Sequence, residues 1–407
     1  MKEKSTYIKF TEGSALMPQE AMLEVGRKTT RLNIGIPKEI SFQENRVALV
    51  PDAVAVLVAT GHEIVVETNA GAASNFQDKD YSEAGARIAY SPDEVFKAEI
   101  ILKVAPPTED ELELMKPKQT LISALQITTQ KKSYFEKLIR KKINGLAFDF
   151  IKDKSGIYPI VRAMSEIAGN TAVLLAAEYL SNSNHGKGLM LGGISGVPPT
   201  DVVIIGAGTV GEFAARAAIG LGATVKIFDN SLYRLRRLQN DLGMRVYTSI
   251  IEPKELGAAL RTADVAIGAL RSQENRTPVV VTEQMVSHMK YGAIIVDISI
   301  DQGGCFETSE VTTHTNPVFK KYGVTHYCVP NIASRVSHTA SIALSNIFTP
   351  TLLEMGEKGG IENYLRINEG LRNGVYLYNG ILTHAFIGEM FDIPYKDLDL
   401  LIAASFF

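Results

Sequence analysis

From Leu32 onward, short apolar runs of strand length alternate with stretches whose apolar residues recur every three or four positions. Strands are expected over 32–36, 63–67, 98–104, 120–125 and 144–148, and helices over 52–60, 78–86, 109–115 and 129–142. Strands separated by helices of this kind pair in parallel through crossovers, giving an α/β fold. A longer segment, Met164 to Tyr179, carries Ala, Leu and Ile on more than one face and reads as a helix buried between domains. A second α/β unit runs from 201 to about 336, with strands over 201–205, 223–228, 244–247, 264–268, 293–297 and 324–329. Beyond Asn331 the pattern turns helical, over roughly 338–356, 360–368 and 381–390. Residues 1–31 are polar and mixed; a short helix around 18–26, with Met22 and Leu23 inward, reads as an extension packed on the body or on a neighbouring subunit. Residues 181–200, rich in Gly, Ser, Asn and Pro, read as a loop or short hairpin.

The second unit opens with Asp201-Val-Val-Ile-Ile-Gly206-Ala-Gly208-Thr209-Val210-Gly211. Four apolar strand formers run into glycines, and the glycines into a helix former. Gly206 makes the turn, Gly208 lets backbone approach a pyrophosphate, and Gly211 lets helix and strand pack closely, with the helix N-terminus facing the phosphates. A further strand ends in Asp229, 18 residues beyond Gly211, near the spacing of an acid that holds an adenosine ribose. A plain βαβ turn explains the glycines but not the whole ordered series, so a dinucleotide is the expected cofactor.

Composition narrows the partners. The chain has 407 residues, enough for two or three domains, with 45% hydrophobic and 21% charged residues. A net charge of −3 without a long basic run argues against nucleic acid. Cys305 and Cys328 are the only cysteines, so there is no disulfide framework, and a reducing, cytoplasmic setting is expected. No CxxC or Cys/His cluster suggests a metal site. Lys2 and Lys4 are not followed by the apolar core of a signal peptide, and the longest apolar runs are too short to span a bilayer.

In open parallel sheets ligands bind beyond the carboxyl ends of the strands. That places Lys38, Glu39, Arg46, Lys103, Gln126, Asp149, Asp301 and Asn331 among the candidates. Arg46 reads equally as a fork for a substrate carboxylate and as a salt bridge to Glu39 or Glu44. Asp301, beside Gly303 and Gly304, could handle a proton or a ribose hydroxyl, or simply make a turn. His326 reads as packed, and Cys305 lacks the partner a nucleophile needs.

The motifs Gly35-Ile-Pro-Lys-Glu39, Glu44-Asn-Arg46-Val, Ile101-Leu-Lys-Val104, Met164-Ser-Glu-Ile-Ala-Gly169, Gly206-Ala-Gly-Thr-Val-Gly211 and Asp301-Gln-Gly-Gly-Cys305 occur in one co-linear order. Together they resemble bacterial alanine dehydrogenase, a family related to the NAD-binding domain of transhydrogenase. The resemblance covers about 32 to 357. It implies two Rossmann-like domains with parallel sheets and a cleft between them: a substrate domain of 32–159 plus 337–407, and an NAD domain of 160–336. It implies reversible NAD-dependent conversion of L-alanine to pyruvate and ammonia, and a homo-oligomer, hexamer or dimer. Arg46 would hold the substrate carboxylate, Asp301 would be the acid beside the reacting carbon, and Asn331 would contact nicotinamide or substrate. Ser165, Thr209, Val210, Asp229 and Arg234 would contact the dinucleotide. Two positions depart from the family pattern. Ala105 stands where the family has a substrate-site lysine, and Gln126 where it has an acid/base histidine. A divergent amino- or imino-acid dehydrogenase, with Lys103 or Asp149 taking over the proton, and a non-catalytic NAD(H)-binding protein are the alternatives. Gln126 is then a candidate substrate contact and Lys103 a candidate catalytic group.

Overall fold

The computed structural model describes residues 29–272 and 276–404. The helix expected at 18–26 lies outside them. Six strands of the first unit, β1 (Asn33–Ile36), β2 (Glu63–Glu67), β3 (Arg87–Ala89), β4 (Ile100–Leu102), β5 (Thr120–Ser123) and β6 (Asn144–Ala147), pair in parallel in the order β3-β2-β1-β4-β5-β6. The second unit contains β7 (Asp201–Ile205), β8 (Thr224–Phe228), β9 (Tyr247–Ser249), β10 (Val265–Gly268), β11 (Ile294–Asp297), β12 (Val318–Lys321) and β13 (Val324–Tyr327). Its parallel order is β9-β8-β7-β10-β11-β13, with β12 antiparallel at the edge. Each sheet therefore starts near its middle, builds outward one way, then crosses and builds the other way. The crossing points, β1/β4 and β7/β10, are where such sheets open a ligand crevice.

The central strands β4, β5, β6, β10 and β11 are buried along their whole length, which is why they read as continuous apolar runs. The elements the pattern missed are short or lie at sheet edges. β3 is three residues long, and β12 ends in two lysines, a usual guard for an exposed edge. β14 (Val375–Tyr378) adds antiparallel to β6 and β15 (Ile381–Leu382) antiparallel to β14, so the first sheet is mixed. They correct the helix expected over 381–390, which begins only at Ala385. The cause is local: Asn379 and Gly380, with φ of 49° and 75°, form a two-residue hairpin turn of the Asn-Gly kind.

Two long helices position the cleft. The Pro159–Leu180 helix starts with proline at its first turn and packs its small residues on the Thr209–Gly220 helix. At Gly169 a β-carbon would stand 2.4 Å from the Val210 carbonyl oxygen, so the two backbones touch. By length and composition this helix could cross a membrane, but Ala172, Leu175, Ala176 and Leu180 are spent on the second core. The Ser337–Glu357 helix returns to the first sheet, where Leu344, Phe348, Leu352 and Met355 join its core. Its Ser341 and Ser345 hydroxyls accept the Val47 and Val50 backbone N–H groups, both at 2.9 Å. Those bonds fix the turn that delivers Arg46.

Candidate active site

A cleft of about 290 Å³ lies between the two sheets, lined by residues that follow the carboxyl ends of β5, β6, β10 and β11. Arg46, Asp149, Ser165, Arg271, Asp301 and Asn331 line it among apolar residues that include Phe148, Ile160 and Met164.

At one end is the glycine turn. Gly206 has φ of 118°, and a β-carbon there would meet the Ala269 carbonyl oxygen at 2.4 Å. A β-carbon on Gly211 would fall 1.8 Å from the Gly206 oxygen. Above Gly208, by contrast, nothing lies within 4 Å of that position. Thr209 and Val210 begin the helix beyond it, and Val210 also lines the cleft. Open space at a helix N-terminus fits a pyrophosphate. Asp229, 3% exposed, accepts the Ala207 and Ser231 N–H groups at 2.7 Å each, and Arg234 approaches it at 3.8 Å. Each carboxylate oxygen keeps a lone pair, so the donor set also fits a ribose hydroxyl pair.

Arg46 forms the salt bridge to Glu44 and still turns one nitrogen toward the cleft. Nε and Nη2 donate to the two oxygens of Glu44 at 2.7 and 2.6 Å, while Nη1 points to the Met164 sulfur at 3.2 Å on the cleft wall. Burial alone would raise the Glu44 carboxyl. Arg46 more than offsets this, and Asn331 adds a hydrogen bond, so the carboxyl ends below its ordinary range. The Asn331 side chain donates to Glu44 at 2.9 Å and its backbone N–H to Asp301 at 2.9 Å. Asn331 takes a left-handed φ of 57°, which lets it hold both. Asp301 opens to the cleft's solvent, yet the surrounding protein raises its carboxyl, with the Asn331 N–H, Arg46 and Arg271 opposing.

Two candidates sit elsewhere than expected, and His326 is packed, as read from the sequence. Lys103 is 0% exposed, with Nζ 2.5 Å from Glu111 and 3.5 Å from Glu39. It is absent from the cleft lining, because its strand is covered on both faces. Gln126 is exposed at a left-handed bend after β5 and also lies off the cleft. His326 is fully buried and pushed down to about 4 by its burial, bonded to Thr308 at 2.8 Å. Arg271, in the loop that departs from the family's more apolar pattern, lines the cleft, and Glu44 lies behind Arg46. No group of His, Cys, Asp and Glu able to hold a metal occurs among the described residues.

Two sequence models span nearly all of this architecture: the alanine dehydrogenase/PNT N-terminal domain over residues 35–168 and the C-terminal domain over 172–385. The chain belongs to the alanine dehydrogenase/PNT family. It is 39% identical to alanine dehydrogenase 2 of Staphylococcus aureus (strain USA300) over 369 residues, which is 90% of this chain and 99% of that protein. A solved L-alanine dehydrogenase superimposes with a TM-score of 0.83 at 37% identity, covering 89% of this chain and 99% of the other. A transhydrogenase from Sinorhizobium meliloti shares the fold, with a TM-score of 0.75 at 23% identity over 87% of this chain and 99% of its own. Family and fold together support an oxidoreductase that uses NAD(H).

Proposed function

We propose that this protein is an NAD-dependent amino-acid dehydrogenase that interconverts L-alanine with pyruvate and ammonia. The observation that carries this reading is the link through Asn331, which ties the Arg46–Glu44 pair to Asp301 in one cleft beside the glycine turn. The Nη1 edge of Arg46 suits a substrate carboxylate. Asp301 suits the substrate ammonium. Phe148, Ile160 and Met164 offer an apolar wall for a small side chain and keep water from the reacting carbon. Bound NAD would supply the hydride acceptor. Its pyrophosphate would lie over Gly208, between the N–H groups of Thr209 and Val210, with the ribose at Asp229; Ser165 lines the path between. The carboxylate of Asp229 would disfavour a 2′-phosphate, so NAD is expected over NADP.

A second reading follows from Ala105 and Gln126. One is buried and the other exposed off the cleft, and neither offers a proton-carrying group. That favours either another amino or imino acid as substrate or an NAD(H)-binding component without amino-acid turnover. The test is growth of NADH absorbance on adding L-alanine and NAD, against a panel of other amino acids and alongside NADH binding by fluorescence. NADH binding without turnover of any amino acid rejects the dehydrogenase reading. Turnover confined to another amino acid rejects alanine alone. Cytoplasmic location and homo-oligomeric assembly rest on the sequence reading.

A further inference from the structure

Gln126 cannot accept a proton near neutral pH, but the neighbouring strand ends in a group that can. β5 and β6 run parallel, with Ser123 paired to Ala147. Two residues beyond that last pair stand Leu125 and Asp149, the latter in the short helical turn Phe148–Phe150 that follows β6. Asp149 lines the cleft, flanked by Ala124 and Phe148, with Arg271 on the same wall. Its Oδ1 is closed off from solvent and has no hydrogen-bond partner. Leaving a buried carboxylate oxygen without a donor costs free energy unless a ligand supplies one. A substrate ammonium or an attacking water in this cleft is such a donor.

We infer that Asp149 is the proton-transfer group of the cleft, standing one strand over from the position where the family places its acid/base histidine. The inference rests on the dehydrogenase reading above. In the oxidative direction the Asp149 carboxylate takes a proton from the substrate ammonium: an N–H bond breaks, an O–H bond forms, and the electron pair stays on nitrogen. That pair would then close the C=N bond, the Cα hydrogen leaving with its two electrons to the hydride acceptor that bound NAD would supply. Asp149 releases its proton to the solvent of the cleft. It then takes one from the water that attacks the imine carbon and returns it to the carbinolamine nitrogen; as the C–N bond breaks, it takes the remaining hydroxyl proton while the O–H electron pair closes the C=O bond, yielding keto acid and ammonia.

The surroundings suit this role. Among the described residues, Arg271 faces Asp149 from the loop after β10, and Tyr376 faces it from β14, with Tyr134 behind. Burial pushes the carboxyl up to about 6, and the backbone N–H groups of Asp149 and Leu125, with Arg271, keep it from rising further. A base that titrates near 6 is ionised at neutral pH yet basic enough to serve. Both tyrosines are held neutral by burial, so neither competes for the proton.

The experiment uses the full-length protein and its Asp149→Asn and Asp149→Glu variants. Carbon-13 labelling of aspartate carboxyls gives one resonance that the Asn variant lacks. It should titrate near 6 and move on addition of pyruvate with NADH. The rate of L-alanine-dependent NAD reduction should fall roughly 10²–10⁴-fold in Asp149→Asn, with NADH binding unchanged, and recover in part in Asp149→Glu. The acid limb of the wild-type kcat/KM profile should vanish in the Asn variant. Wild-type turnover matched by Asp149→Asn, or a resonance that titrates near 4 and ignores pyruvate, overturns the assignment of Asp149 alone. Absence of wild-type turnover on every amino acid overturns the dehydrogenase reading, and the proton role with it.

Discussion

Replacing Glu39 by Gln tests the charge balance buried behind the cleft. Glu39, Glu44 and Glu111 face Arg46 and Lys103 where no side chain is more than 11% exposed. Arg46 is held by Glu44 through two bonds, and Lys103 lies closer to Glu111 than to Glu39. Three carboxylates thus share two cations, and Glu39 is the one left over. Burial raises its carboxyl from 4.5 to about 7, with Lys103 offsetting only part. The folded chain therefore keeps a proton that the unfolded chain has lost. Stability from this site is complete below pH 4.5, declines as pH rises to about 7, and is flat above. At 1.36 kcal/mol per pH unit the loss is at most about 3 kcal/mol, since coupling to Lys103 can only share it. The Gln variant cannot titrate there, and its amide oxygen can still accept the Val104 N–H that Glu39 accepts at 2.6 Å. Urea unfolding of both proteins at about pH 5 and about pH 8 isolates the term, because other titrating groups cancel in the difference. The wild type should lose about 2–3 kcal/mol relative to the variant across that window. A change below about 1 kcal/mol would mean that Glu39 is ionised in the folded state and that Lys103 serves two carboxylates.

Three further outcomes follow from named contacts. Gly208→Ala should leave the melting temperature within a degree or two, because its β-carbon meets open space, yet weaken NADH binding at least about tenfold by filling the pyrophosphate approach; unchanged affinity by fluorescence titration would place the dinucleotide elsewhere. Asp229→Ala strands the Ala207 and Ser231 N–H groups and should weaken NADH by about 1–3 kcal/mol, while narrowing the preference against NADPH; tighter binding of NADPH by the wild type would refute the ribose assignment. Lys103→Met leaves Glu39 and Glu111 buried without their cation and should cost about 3–5 kcal/mol in urea unfolding; a stable variant with abolished turnover would return Lys103 to the chemistry.

What the sequence could and could not reveal follows from the range of each interaction. The glycine turn was legible because its causes are local: Gly206 and Gly211 are demanded by carbonyl oxygens met at 2.4 and 1.8 Å, and Asp229 follows on the adjacent strand. The Asn379-Gly380 hairpin was equally local, but the surrounding apolar pattern suggested a helix and hid it. Arg46 was undecided between ligand and salt bridge because position alone does not assign its three nitrogens; the fold gives two to Glu44 and one to the cleft wall. Lys103 illustrates the opposite limit. Alternation put it on the same side of its strand as Ala105, but β4 is covered on both faces, so a side carries no access. Its partners come from the end of β1 and from the Glu109–Leu114 helix, a meeting that no local spacing encodes. Asp149 was visible as a strand end and as one of two groups that could take over the proton. Its orphaned oxygen depends on the closure of β6 against β5, and its counter-charge comes from Arg271 in the other sheet's loop. The departures at Ala105 and Gln126 then need not abolish proton chemistry. They remove it from two strand ends, and the parallel register of β5 and β6 offers a third carboxyl-end position on the same cleft.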